Sequence, residues 1–247
     1  MTAPWKTAWI TGASTGIGRE LAIQLASAGV TVAVSARSAE KLDELAGAHA
    51  NIQAFPLDVT VRADIQAVYR RIVEANGRID LAVLNAGVWH PMPATEFDAG
   101  RVAQSMNVNY LGIVNALEPL IPAMIAGGRG HLALVASIAG YRGLPKAAAY
   151  APSKAAVIAL AEVLRLELQR HGIVVSLVNP GFVETPMTSV NDFPMPYIIK
   201  PNDAATRILR GLAGGKFEIA FPWQLVAMLK LLRLMPNALY LRIASRL

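Results

Sequence analysis

The chain has 247 residues, 54% of them hydrophobic and only 16% charged, with a formal net charge of +6; this excludes a disordered chain and allows a large core. There is no cysteine, which removes disulfides, thiolate metal sites and a cysteine nucleophile, and His49, His90, His131 and His171 lack ligand spacing, so no metal is expected. Mean hydropathy is +0.40, yet no uncharged apolar stretch reaches the roughly 18 residues of a spanning helix.

The opening MTAPWKTAWITG runs directly into a strand-like segment and leaves no room for a signal peptide, so a cytoplasmic location is the expectation. Candidate strands then follow at Thr7–Ile10, Thr31–Ser35, Ile52–Pro56, Leu81–Asn85, His131–Ala136, Val174–Val178 and Phe217–Ala220. Amphipathic patterns separate most of them, at Ile17–Ala28, Ala39–Gly47, Val61–Asn76, Asp98–Ile125, Tyr150–His171 and Asn202–Leu212. Strands apolar on both faces and alternating with helices imply a doubly wound α/β fold, a mostly parallel seven-stranded sheet with helices on both faces. No linker or repeat divides the chain, so residues 1–247 are expected to form one domain.

Thr11-Gly12-Ala13-Ser14-Thr15-Gly16-Ile17-Gly18 stands between the first strand and the first helix. Glycines there permit a tight turn and a close backbone approach to a pyrophosphate, and the helix start offers free N–H groups and the positive end of its dipole. Tyr150 and Lys154 stand four residues apart, so their side chains leave one face of a helix. A nearby ammonium stabilises phenolate and lowers the tyrosine pKa from about 10, which suits Tyr150 to acid/base work on a carbonyl or alcohol oxygen. Ser137, thirteen residues earlier at the end of a strand, can donate to the same oxygen. No G-x-S-x-G elbow surrounds it, which excludes a serine hydrolase.

The glycine spacing is GxxxGxG, and other motifs accompany it in order: Asp58-Val59, Asn85-Ala86-Gly87, Asn109-Tyr110-Leu111-Gly112, Ser137, Tyr150-Ala151-Pro152-Ser153-Lys154 and Pro180-Gly181-Phe182-Val183-Glu184-Thr185. Together they resemble the compact, single-domain branch of the short-chain dehydrogenase/reductase family, over about residues 5 to 221. The resemblance implies a Rossmann-type fold and a catalytic tetrad of Asn109, Ser137, Tyr150 and Lys154. Asn109 would hold a water that links Lys154 to solvent, and Lys154 would also bond the nicotinamide ribose. Gly12, Ser14, Thr15, Gly16, Ile17 and Gly18 would cradle the phosphates, and Asp58 and Val59 would meet the adenine. Asn85, Ala86 and Gly87 would line the adenosine side, although Asn85 can equally be structural. Pro180, Gly181, Val183 and Thr185 would fix the nicotinamide. Leu84 and Ala136 depart from the Asn and Ser that many relatives carry there.

Where NAD-preferring members have an acid at the end of the second strand, this chain has Ala36 followed by Arg37. A guanidinium can pair with a 2′-phosphate that a carboxylate would repel. NADP(H) is therefore the expected cofactor, with Ser38, Ser14 and Arg19 as further candidates for contact. Arg37 as an ordinary surface residue is the alternative.

Residues 186–201 read as a lid loop. Met187, Phe193, Met195, Pro196 and Tyr197 from it, with Trp89, His90, Tyr141 and Leu144, could form an apolar pocket for a small ketone, aldehyde or alcohol, or could simply pack the lid on the core. Residues 222–247 follow as an apolar, basic extension with helical patterns at Gln224–Met235 and Ala238–Leu247. From Trp223 onward it carries Lys230, Arg233, Arg242 and Arg246 and no acid. It could cover the pocket, join a neighbouring subunit or make peripheral membrane contact through residues 223–247, and the first two are preferred. No basic groove with interleaved aromatics is visible, so nucleic acid is not an expected partner. The family's pairing through two long helices implies a homodimer or homotetramer. The competing class is a catalytically silent NADPH-binding sensor or membrane-docked scaffold, against which the full tetrad argues.

Overall fold

The computed structural model describes residues 3–244. Seven strands, β1 (Thr7–Thr11), β2 (Thr31–Ser35), β3 (Ile52–Ala54), β4 (Leu81–Leu84), β5 (Gly130–Val135), β6 (Ile173–Pro180) and β7 (Glu218–Phe221), form one sheet in the order β3-β2-β1-β4-β5-β6-β7. Every pairing is parallel, so the sheet is wholly rather than mostly parallel. The strand ends lie within two residues of the expected ones.

Two hydrophobic layers clothe the sheet. On one face, α1 (Gly16–Ser27) and α2 (Ala39–Ala48) pack with α7 (Pro201–Ala213) through Leu21, Leu25, Leu42, Leu45, Ile208 and Leu212. On the other, α3 (Arg62–Asn76), α5 (Gly112–Ala126) and α6 (Tyr150–Leu168) contribute Ile65, Ile72, Leu117, Leu120, Val157 and Leu164. Periodicity alone selects these faces: Ile65, Val68 and Ile72 recur at helical spacing and are the buried residues of α3. Gly77, at φ +73° and ψ −145°, ends α3 in a conformation open to glycine, its N–H donating to the Val73 carbonyl at 2.8 Å.

Because all strands run one way, their carboxyl ends share one edge. The chain reverses its winding direction between β1 and β4, which opens a crevice at that edge. The segments after β1, β2, β4, β5 and β6 carry Gly12, Arg37, Asn85, Ser137 and Gly181 to it.

The single helix expected over Asp98–Ile125 is interrupted. The helix α4 (Ala99–Met106), capped by the Asp98 carboxylate on the N–H groups of Gly100 (2.7 Å) and Arg101 (3.2 Å), continues through a π-helical turn at Asn107–Leu111 into α5. By length and composition the continuous run Ala99–Ala126 could cross a bilayer; here Ile113, Ala116, Leu117, Leu120 and Met124 bury its inner side in the core.

Beyond β7, α8 (Trp223–Leu234) buries Leu225, Leu229 and Leu232 in the core layer that contains α6, and α9 (Asn237–Ala244) adds Tyr240. Residues 245–247, the end of the helix expected over Ala238–Leu247 and the site of Arg246, lie outside the described residues. Arg142 clamps the corner between the two helices. Its guanidinium donates to the carbonyls of Leu232 (2.8 Å), Arg233 (2.8 Å) and Met235 (3.0 Å) and to Asn237 Oδ1 (2.7 Å), and it lies 4.0 Å from the Tyr240 ring centroid. It thereby adds a donor at the end of α8, where of the three carbonyls that of Leu232 also accepts from the Met235 N–H at 3.3 Å. Arg142→Ala should cost about 2 kcal/mol and open the segment after Leu234 to proteolysis. Thermal melting and timed digestion check this, and an unchanged cleavage rate would contradict the clamp.

Candidate active site

One cavity of about 870 Å³ occupies the crevice. Of the candidate catalytic and cofactor residues, Gly18, Asn109 and Arg19 do not line it.

The glycine turn is shaped by close contacts. Gly12 (φ +69°) and Gly16 (φ +57°) occupy the left-handed region. A Cβ on Gly18 would stand 2.4 Å from the Gly12 carbonyl oxygen and 2.7 Å from Asn85 Nδ2. Asn85 holds this turn: its Nδ2 donates to the carbonyls of Thr11 and Gly12, each at 3.1 Å, and its backbone N–H donates to Thr11 Oγ1 at 3.0 Å. Asn85 therefore acts as a structural tie as well as lining the cavity. At the start of α1, Thr15 makes no side-chain capping bond and the first turn bears no carboxylate. Those N–H groups and the dipole suit an anion, and a dinucleotide's pyrophosphate fits that requirement.

The exposed Arg37 lines the cavity beside Ser38. Ser38 precedes α2 but makes no capping bond through its hydroxyl. Among the described residues Arg37 has no carboxylate within ion-pair distance. Asp58 also lines the cavity; the Thr60 backbone N–H (2.9 Å) holds its carboxyl below the usual range, with lesser help from the Thr60 hydroxyl and the Arg37 charge. Arg19 lies away from the cavity, 3.8 Å from Glu44 and 3.9 Å from Glu20.

Three elements deliver the candidate catalytic set. The Ser137 hydroxyl, at the end of β5, accepts from the Ala139 N–H at 3.1 Å and lies 3.4 Å from the Pro180 carbonyl. A tight turn at Ile138–Gly140 then presses on α6, where a Cβ on Gly140 would stand 2.8 Å from the Lys154 carbonyl carbon. This contact sets Ser137 on the same side of the cavity as the Tyr150 phenol, whose pKa its hydroxyl helps to lower. Pro152 sits in the first turn of α6, where its missing N–H costs nothing.

Lys154 is 3% exposed and its Nζ donates to the Val135 carbonyl at 2.9 Å. Burial pulls its pKa down to about 8 and pushes Tyr150 up to about 12, the latter partly offset by the Ser137 hydrogen bond. This differs from the expectation that Lys154 lowers Tyr150: the ammonium lies 5.6 Å from the ring centroid and bonds a backbone carbonyl, so desolvation prevails.

Asn109 lies in the π-helical turn and is fully buried. Its Oδ1 accepts from the Val88 N–H (2.7 Å), and its Nδ2 donates to the Val88 carbonyl (3.1 Å) and Ser153 Oγ (3.0 Å). A Cβ on Gly87 would lie 3.3 Å from Asn109 Oδ1 and 3.6 Å from Lys154 Nζ, so the amide and the ammonium flank one glycine. Asn109 stitches α5 to α6 and to the segment after β4.

The apolar end differs from the expected composition. Trp89, Leu144, Met187, Phe193 and Pro196 line the cavity, whereas His90, Tyr141, Met195 and Tyr197 do not. Tyr141 instead bonds Glu218, with Asn179 Nδ2 3.2 Å from its hydroxyl. The extension supplies what the sequence left open: Leu225, Met228, Leu229 and Leu232 of α8 form a cavity wall. The loop over residues 186–201 is fastened by Trp89 Nε1 donating to Asn191 Oδ1 (2.8 Å) and by Lys146 Nζ against Asp192 (2.7 and 2.8 Å). Neither fastening had a sequence signal, because each joins loops about 50 to 100 residues apart.

Residues 6–193 match the family model described as short chain dehydrogenase. An uncharacterized oxidoreductase of Myxococcus xanthus is 38% identical over 98% of both chains. A 3-oxoacyl-(acyl-carrier-protein) reductase of Thermotoga maritima is 34% identical over 83% of this chain and 89% of its own. Among solved structures, a short-chain dehydrogenase/reductase from Burkholderia phymatum in complex with NAD superposes with a TM-score of 0.85, at 27% identity over 94% of both chains. The chain belongs to the short-chain dehydrogenase/reductase family, and it is an oxidoreductase of that family with a dinucleotide-type fold.

Lys154 provides a test without substrate. Its pKa is near 8 folded and about 10.4 unfolded. Below pH 8 the folded chain bears the cost of a buried ammonium. Between about pH 8 and 10 the unfolded chain binds the extra proton, so stability rises with pH. Lys154→Met should abolish that rise in melting temperature, and a rise that persists would assign it to another group.

Proposed function

We propose that the protein is an NADP(H)-dependent oxidoreductase that interconverts an apolar ketone or aldehyde with its alcohol. The observation that carries this reading is the convergence of Ser137, Tyr150 and Lys154 on a cavity whose other walls are Trp89, Phe193 and the leucines of α8. Similarity to a solved 3-ketoacyl-(acyl-carrier-protein) reductase from Brucella melitensis complexed with NADH, with a TM-score of 0.81 at 27% identity over 87% of this chain and 96% of that one, supports a ketone as the oxidised substrate.

A reduced nicotinamide, when bound, supplies the hydride. The chain's own groups manage the proton and the developing oxyanion. At neutral pH Tyr150, near 12, carries its proton, and Lys154, near 8, is mostly an ammonium, so the site is charged for reduction. Tyr150 donates its phenolic proton to the carbonyl oxygen, and Ser137 donates a second hydrogen bond to the same atom. As phenolate forms, the Lys154 charge stabilises it. Asn109 fixes the turn behind Lys154 through which a proton returns to Tyr150.

Arg37 and the uncapped Ser38 hydroxyl favour a 2′-phosphate, and the absence of an acid at Ala36 removes the usual partner of ribose hydroxyls. Self-association is part of the proposal: Val163 and Leu166 on the outer side of α6 are 49% and 71% exposed and offer an apolar pairing face.

Tyr150→Phe should lower turnover at least about a hundredfold while NADPH binding persists; retained turnover would refute the proton donor. Arg37→Ala should weaken NADPH by about tenfold or more and leave NADH nearly unchanged, as read by fluorescence titration. Equal losses would return Arg37 to an ordinary surface residue.

A further inference from the structure

We propose that the outward face of α8 and α9 docks on an anionic lipid bilayer, with the apolar mouth of the cavity turned toward the membrane. The proposal rests on the function above only for what would enter that mouth. Successive residues of a helix turn by about 100°, so Trp223, Leu231 and Leu234 share about 80° of arc on the outside of α8. They are 72%, 61% and 83% exposed. Leu225, Leu229 and Leu232 project from the opposite side into the core and line the cavity. Met228 lies between the two sides, 49% exposed and also lining the cavity, so the outer stripe runs over the lip into the site. Across the mouth, the lid residue Met187 is 38% exposed and lines the same cavity. On α9, Leu239, Leu241 and Ile243 are also exposed, on the two flanks of the helix. Patches of this kind on soluble chains mark interaction sites.

Charge selects the occupant. Residues 223–247 contain four basic side chains and no acid. Lys230 is paired with Glu218. Among the described residues, however, Arg233 and the corner residue Arg142 have no carboxylate within ion-pair distance. A second copy meeting this face with its own would bring like charges together, whereas anionic headgroups complement them. An apolar stripe with an exposed tryptophan and a basic flank has the composition of a helix lying in a membrane interface. A lipophilic carbonyl compound partitioned in the bilayer would then reach the cavity without crossing water.

The test is co-flotation of the full chain with phosphatidylcholine vesicles, with and without phosphatidylglycerol. The chain should float with the anionic vesicles alone and be released by salt. Tryptophan emission should shift to the blue on binding, since Trp5 and Trp9 are buried and Trp223 is the most exposed of the four. Leu231→Glu with Leu234→Glu should abolish flotation while NADPH binding and the melting temperature stay unchanged. Arg233→Glu, which tests the charge without touching the apolar stripe, should weaken vesicle binding by about tenfold. No flotation on anionic vesicles, equal flotation of the double variant, or an oligomer that the double variant splits in light scattering would each overturn the proposal. Flotation needs no turnover, so a chain that floats but reduces no apolar carbonyl would refute the proposed substrate class and uphold the docking.

Discussion

The constraint on which the rest of the site depends is the burial of the Lys154 ammonium. An ammonium that is 3% exposed must find its compensation in fixed dipoles, and here a carbonyl at the end of β5 supplies it at 2.9 Å. That bond ties the first turn of α6 to the carboxyl edge of the sheet. Once α6 is fixed, the turn after Ser137 can pack on its backbone only through Gly140, and Asn109 and Lys154 close tightly over Gly87. The π-helical turn follows from the same need, since it points the Asn109 amide inward, where it holds Val88 and Ser153.

The cavity joins two environments. At one end, glycine backbone and Arg37 offer donors and positive charge for an anion; at the other, Trp89, Phe193 and α8 present apolar surface. Ser137 and Tyr150 stand where these meet, which is where a carbonyl must lie if its carbon is to face a nicotinamide and its substituents are to leave water. The lid crosses this junction and is held by the Lys146–Asp192 pair and the Trp89–Asn191 hydrogen bond. Both anchors are polar and at the rim, while the wall beneath them is apolar. The Lys146–Asp192 pair is exposed, and pairs of that kind contribute little stability.

Much of this was legible in the sequence because it follows from periodicity and short motifs. The parallel sheet was legible from strands apolar on both faces, and the glycine turn and the Tyr150–Lys154 spacing are local patterns. What escaped depends on contacts between distant segments. The π-helical turn has the same apolar spacing as the helix around it, so a single helix was expected. Tyr141 reads as an aromatic beside the site, but Glu218, contributed by β7, turns it away from the cavity. The role of α8 could not be chosen from its own residues, because a helix apolar on nearly every side fits a pocket wall and an outer surface equally, and in the structure it is both. The effect of Lys154 on Tyr150 was inferred from charge alone; the degree of burial, which reverses the balance in this structure, is a property of the whole fold.

The central claim is that this junction reduces apolar carbonyl compounds with NADPH. Its most direct test is NADPH oxidation by the purified chain across ketones and aldehydes graded in size and polarity. Turnover that rises with apolar bulk is the expected result. Tight NADPH binding with no turnover across the series, or a preference for small polar carbonyls, would contradict it.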